Sequence, residues 1–255
     1  MTSVDLGALS PELGSAYFEA PEDPQTAAWL ASTRPHGWLA TQTQRIARRF
    51  ASDFEVNARL GMYSLHLGGT ATYRALLGPE HGLGTLLDVG AGTGEVTAMM
   101  APLFSSARCT ETSPAMAQRI RRLGFPCDVL DLASTDVPGT FDVVSLLNVL
   151  DRTARPAMSI DRALGHLTDR GRLILATPLP ARPHVDLGSM TAEPDEPMGG
   201  EGDSFEEALA SLVNTLLTPR GLRVVRWTRL PYRSQGDVAQ RFYEHDDALL
   251  LCARG

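Results

Sequence analysis

The feature that most narrows what this chain can fold into is the run Asp88-Val-Gly-Ala-Gly-Thr-Gly-Glu95. It closes the short apolar segment TLLDVG, which reads as a buried strand, and it opens residues 95–103, which read as a helix. Glycine at such a handover lets the backbone turn sharply and approach a ligand that any Cβ would obstruct. The spacing of Gly90, Gly92 and Gly94 is GxGxG, unlike the GxGxxG of dinucleotide sites. A glycine-rich turn can also be purely structural, so its meaning depends on what surrounds it.

The surrounding pattern is regular. SARCTE reads as a second strand, and Ser113 is placed to cap a helix over 114–123. FPCDVLDL and FDVVSLLNVL give a third and a fourth strand. Residues 156–168 are amphipathic, with Ile160, Leu164 and Leu167 on one face, and GRLILATPLP is the fifth strand. A helix is expected over 204–218, and RVVRWTRL and DALLLCA close the chain as two strands paired antiparallel. Strands alternating with helices imply an α/β, doubly wound, mostly parallel sheet, here of seven strands with an antiparallel last strand. Ahead of this main domain (81–255), residues 26–80 read as a helical cap, with Trp29, Ile46, Phe50 and Phe54 near helical spacing. Residues 1–25 are rich in Pro, Ser, Glu and Asp and read as a flexible or loosely docked arm.

The GxGxG turn resembles the S-adenosylmethionine loop of class I, Rossmann-like methyltransferases, where the ligand presents an amino acid and a sulfonium and no pyrophosphate. Glu111 ends the second strand about twenty residues on, where an acid can accept both ribose hydroxyls. Asp131, after the third strand, can meet the adenine edge or a nearby loop. Asp88, Gly90, Ala91, Gly92, Gly94, Glu111, Asp131 and Asn148 are the expected cofactor residues.

A wider set of segments carries a more specific resemblance: LLDVGAGTGEVT, TETSPAM, LLNVLDR, GRLILA, TRLPY followed by GD, and DDA. Together they resemble the DREV methyltransferase family over roughly residues 60–255. That resemblance implies S-adenosylmethionine as donor and S-adenosylhomocysteine as product. It implies methyl transfer to the N-pros nitrogen (Nδ1) of histidine in proteins or peptides, often in His-x-His segments. Carried over by position, Asn148 and Asp151 hold the imidazole as the catalytic pair. Arg152, Tyr232, Asp237 and Tyr243 complete the substrate pocket. The chain departs from animal members in its N-terminal residues and over 181–203.

Composition bounds the partners. A net charge of -7 offers no broad basic field for a nucleic acid backbone, and it favours a cationic or histidine-rich peptide. The opening residues have neither a basic n-region nor an apolar h-region, and no apolar run approaches the ~20 residues that span a bilayer. Cys109, Cys127 and Cys252 form no CxxC pair. A cytoplasmic monomer without membrane or nucleic acid contacts, and without a metal, is expected. Each candidate also has a plainer reading. Asp151 can cap the following helix, Asn148 can be a turn residue, and the tyrosines can be half-buried wall. Asp246 and Asp247 beside His245 read as solvated strand-edge charges rather than metal ligands. The competing functions are a small-molecule N- or O-methyltransferase acting on an imidazole metabolite or natural product, and a cofactor-binding module without catalysis.

Overall fold

The computed structural model describes residues 3–38, 64–79, 84–186 and 190–255, together with Gln42, Thr43, Val56, Leu60 and Met62. The expected cap residues Ile46, Phe50 and Phe54 lie outside the described residues. The strands are β1 (Leu65–His66), β2 (Thr85–Val89), β3 (Ser106–Glu111), β4 (Cys127–Val129), β5 (Phe141–Leu147), β6 (Leu167–Pro178), β7 (Val185–Asp186), β8 (Thr191–Ala192), β9 (Leu222–Gln235) and β10 (Phe242–Arg254). The α-helices are α1 (Pro11–Ala16), α2 (Pro24–Ser32), α3 (Thr70–Leu77), α4 (Glu95–Met100), α5 (Pro114–Arg122), α6 (Pro156–Gly165) and α7 (Phe205–Leu212).

The main sheet runs β1-β9-β10-β6-β5-β2-β3-β4. Strands β2 to β6 pair in parallel, and β10 is antiparallel to both β6 and β9. The doubly wound sheet with its reversed last strand is present as expected. The count is corrected from seven strands to eight, because the two-residue β1 pairs antiparallel with β9 at the edge. Two residues are too short to leave a period-2 signature in sequence.

Alternate residues of each central strand feed opposite layers, which is why both faces need helices. One layer packs Leu87, Val144, Leu175 and Leu250 with Ile160 of α6 and Leu209 of α7. The other packs Leu86, Val143, Ile174 and Leu249 with Tyr73 and Leu76 of α3 and Met100 of α4. Ser113 caps α5 by accepting from Met116 N at 3.2 Å, as its position predicts. The expected continuous helix 204–218 is shorter. After α7 the backbone widens into a π turn over Val213–Leu217 and then tightens over Thr218–Arg220.

The described part of the N-terminal arm is not loose. Ser10 caps α1 from Leu13 N at 3.3 Å, and Leu13 is buried in the main core. The fully buried Trp227 of β9 donates its Nε1–H to Leu13 O at 2.7 Å, and Phe18 N donates to Trp227 O at 3.0 Å. The Tyr17 ring lies 5.0 Å from the Trp227 ring. The polar composition implies flexibility, but one backbone bond, one side-chain bond from Trp227 and a buried leucine dock the segment. Helix α2 is fastened beyond it: Trp29 Nε1 donates to Ser64 Oγ at 2.8 Å, and Arg241 donates to the carbonyls of Leu30 and Thr33. Cys109, Cys127 and Cys252 are buried free thiols. Among the described residues no helix is long and apolar enough to cross a membrane.

Candidate active site

The glycine turn sits at the carboxyl end of β2, where open α/β sheets bind ligands. Gly90 has φ +66, and a Cβ there would stand 2.7 Å from Val149 Cγ2. Gly92 and Gly94 are also left-handed. The turn is locked from three sides. Ala91 N donates to Thr110 O at 3.1 Å, and Gly92 N donates to Glu111 Oε2 at 2.9 Å. Asp88, buried on β2, accepts from Ser145 Oγ at 2.6 Å and from Thr97 Oγ1 at 2.5 Å. Burial pushes the Asp88 carboxyl up to about 6, against the two hydroxyl bonds that favour its charged form. Asp88 therefore braces the turn from beneath, between β5 and α4.

Glu111 is nearly buried, and its Oε1 accepts from Thr112 N at 2.8 Å and Ser113 N at 3.1 Å. Among the described residues its Oε2 accepts only from Gly92 N. A carboxylate offers about four acceptor positions, so Oε2 keeps capacity for a ribose hydroxyl. Asp131 is exposed and organises the turn after β4, accepting from Ala133 N at 2.9 Å.

These groups line a cavity of about 480 Å³, together with Leu65, Leu67, Val149, Arg152, Val185 and Tyr232. That volume lies in the ~300–1,000 Å³ range of small-molecule sites. Asp88, Gly90, Ala91, Gly92, Glu111, Asp131 and Asn148 all line it, whereas Gly94 does not and instead starts α4. The cavity runs from Asp131 and Ala133 past the glycine turn to Arg152 and Tyr232. The narrow glycine wall, the acid at the end of β3 and the apolar side fit an amino-acid nucleoside such as S-adenosylmethionine.

The acceptor side is built by the bend after β5. Asn148 adopts φ +56, a left-handed conformation rare for residues other than glycine, and its backbone N donates to Ala176 O at 2.9 Å. Its Oδ1 is buried and unpaired. Asp151 is buried within the tight turn Leu150–Arg152 and does not itself line the cavity. Its Oδ2 accepts from Arg152 Nε at 3.0 Å, while its Oδ1 is buried and unpaired. Its backbone O accepts from His184 N at 2.9 Å, tying the bend to the segment before β7. Arg152 is exposed and also meets His184 Nε2 at 2.5 Å. Tyr232 stacks on His245, centroids 6.5 Å apart, and burial raises its hydroxyl pKa, helped by the nearby Asp247 and Asp151.

Two expected pocket residues stand elsewhere. Asp237 caps the turn between β9 and β10 by accepting from Ala239 N at 2.8 Å, and Tyr243 pairs with Ser234 near the outer end of β10. Neither lines the cavity. The opposite correction applies to Asp247. It is not a solvated edge charge but a fully buried one, with both carboxylate oxygens unpaired, whereas Asp246 is half-buried and bound to Arg229 at 2.6 Å. Desolvation raises the Asp247 pKa well above the usual carboxylate range, against a weak hydrogen bond from the Asn148 amide and with Asp151 and Asp246 adding to it. Leu65 and Leu67, which also line the cavity, carry no sequence signal beyond their hydrophobicity.

Comparison with known proteins adds a family. The model of the DREV methyltransferase family matches residues 4–254 of the chain. Among solved structures, the N-methyltransferase NodS from Bradyrhizobium japonicum WM9, bound to S-adenosylhomocysteine, is 16% identical with a TM-score of 0.47, over 71% of this chain and 82% of that one. An S-adenosylmethionine-dependent methyltransferase from Leishmania major is 16% identical with a TM-score of 0.49, over 72% of this chain and 70% of its own. These likenesses are too remote to carry any substrate across.

Proposed function

The chain belongs to the DREV methyltransferase family, a class that transfers the methyl group of S-adenosylmethionine, and from that premise we propose that its acceptor is the N-pros nitrogen of histidine in a peptide or protein. The observation that carries this reading is the Asp151 carboxylate. Arg152, which lines the cavity, holds one oxygen, and the other, Oδ1, is buried without a partner in the same tight turn. A buried unpaired acceptor costs about 1–3 kcal/mol, a cost that an arriving N–H donor removes.

Neutral imidazole brings one N–H and one lone pair. With a reference pKa near 6.5, about half or more is neutral around pH 7, so orientation matters more than activation. S-adenosylmethionine, when bound, supplies an electrophilic methyl group on a sulfonium. Turned toward the cavity as the acceptor arrives, Asp151 Oδ1 accepts the Nε2–H of the ring, which selects the tautomer whose Nδ1 lone pair is free. The same carboxylate stabilises the ring as it becomes positive. Asn148, held in its left-handed bend, fixes the ring plane, and Tyr232 and Arg152 wall the pocket and exclude water.

The test is transfer from labelled S-adenosylmethionine to His-x-His peptides and to free imidazole compounds, with the methylated nitrogen identified. Wild-type enzyme is expected to yield N-pros-methylhistidine in peptides, and Asp151→Ala to lose at least about a hundredfold in kcat/KM, within the range typical of acid–base groups. Near-normal turnover and unchanged nitrogen selectivity in Asp151→Asn would refute the role given to Asp151. Transfer to free imidazoles alone would move the chain to metabolite chemistry.

A further inference from the structure

Four buried acceptor atoms cluster at the carboxyl ends of β5 and β6: Oδ1 of Asn148, Oδ1 of Asp151, and both carboxyl oxygens of Asp247. Asp247 is fully buried on β10, opposite Leu230 of β9 and Pro178 of β6, in phase with the core residues Leu249 and Leu251. Its carboxyl lies beside the Asn148 amide without closing a well-formed hydrogen bond. The groups around it are acids and phenols: Asp151, Asp246, Tyr232 and, from α3, Tyr73. The nearby cations are already engaged. Arg229 binds Asp246 and lies over the Phe205 ring, and Arg152 binds Asp151. No metal cluster exists among the described residues.

Buried polar atoms are paired in nearly all native structures, and an ionised carboxylate can only accept. One proton placed on Asp247, with the Asn148 amide turned so that Oδ1 faces the acid, makes an O–H donor for that oxygen and pairs two of the four orphaned atoms. We infer that Asp247 works as a neutral carboxylic acid that donates to Asn148 Oδ1 and so sets which way the Asn148 amide faces the acceptor. Asn148 then presents its NH2 rather than its carbonyl toward the cavity. Asp247 touches neither cofactor nor acceptor, so it is a positioning residue. Burial and the neighbouring carboxylates favour the neutral form, while an Asn148 amide that turns its N–H toward Asp247 favours the charged one, so protonation and amide orientation are coupled. This inference rests on the reading of Asn148 as an acceptor-side residue.

The experiment compares wild type, Asp247→Asn and Asp247→Ala, each checked for melting temperature and cofactor affinity. Asn is an uncharged isostere that still offers N–H, so Asp247→Asn is expected to keep kcat within about threefold and to leave the pH–rate profile in place. Asp247→Ala is expected to lower kcat by about tenfold or more, the scale of one buried acceptor left unpaired, with cofactor affinity retained. Infrared difference spectra need no acceptor: the carbonyl stretch of a protonated carboxylic acid should be present at neutral pH in wild type and missing in Asp247→Asn. If that band is absent from wild type, or if Asp247→Asn is as impaired as Asp247→Ala, the inference is overturned. A band that is present while histidine peptides go unmethylated would overturn the histidine assignment and leave the protonation of Asp247 standing.

Discussion

Replacing Gly90 by alanine isolates the reason for glycine in the cofactor turn. Two penalties combine. Placing a residue with a Cβ at φ +66 costs about 1–2 kcal/mol in the left-handed region. The new Cβ would also stand 2.7 Å from Val149 Cγ2, an overpacking that costs about 1–3 kcal/mol. The sum, about 2–5 kcal/mol, corresponds to a fall in melting temperature of at least ~4 °C for a domain of this size. Because Gly92 N and Ala91 N are anchored on Glu111 and β3, the turn can relieve the overlap only by moving toward the cavity. Cofactor affinity, measured by calorimetry, is therefore expected to fall at least about tenfold, or ~1.4 kcal/mol of binding energy. Val149→Ala removes the clashing methyl and leaves the dihedral strain. The double variant should thus be less destabilised than the sum of the single variants by roughly 1 kcal/mol or more. Additive melting-temperature changes across this cycle, or normal cofactor binding by Gly90→Ala, would refute the steric argument.

Other consequences are equally open to measurement. His66 stacks on Trp29 at 5.6 Å and shares a 2.8 Å hydrogen bond with Thr26 Oγ1; burial, with Arg233 adding to it, depresses its pKa to about 4. A histidine depressed in the folded state stabilises the fold fully above its unfolded pKa of about 6.5, and that contribution is lost as pH falls toward 4. Denaturant melts between pH 7 and 4 should show this loss, and His66→Asn should flatten it. Trp227→Phe keeps the ring but leaves Leu13 O without its 2.7 Å donor, at about 1–3 kcal/mol. Hydrogen exchange should then accelerate over residues 5–18 while the glycine turn stays protected.

Local signals made much of the site legible. The glycine turn, Glu111 and the Ser113 cap each depend on neighbours within a few residues, and all three stand where the sequence places them. The burial of Asp247 is not local, because part of its environment comes from β6 and the bend after β5, far away in sequence. A signal was nevertheless present: on a central strand, Asp247 is in phase with Leu249 and Leu251 and so shares their buried face. Composition alone does not reveal how the arm docks, although Ser10 before Pro11 and Asp23 before Pro24 both spell helix starts. Asp237 and Tyr243 rest on resemblance alone, and in the structure neither is part of the cavity lining.

The docking of the arm on Trp227, 214 residues from Leu13, sets an order on the birth of the molecule. A ribosome adding roughly 5–20 residues per second needs on the order of ten to forty seconds to travel from the arm to the strand that receives it. Throughout that interval Leu13, Tyr17 and Phe18 lack the Trp227 strand that receives them. The edge strand β1, whose Leu65 supplies cavity wall, waits for β9 as well. The parallel strands that carry the glycine turn emerge meanwhile, so the cofactor loop is made early and its outer wall last. A chain stalled before residue 227 would carry the loop without its wall and an apolar arm free to seek other partners.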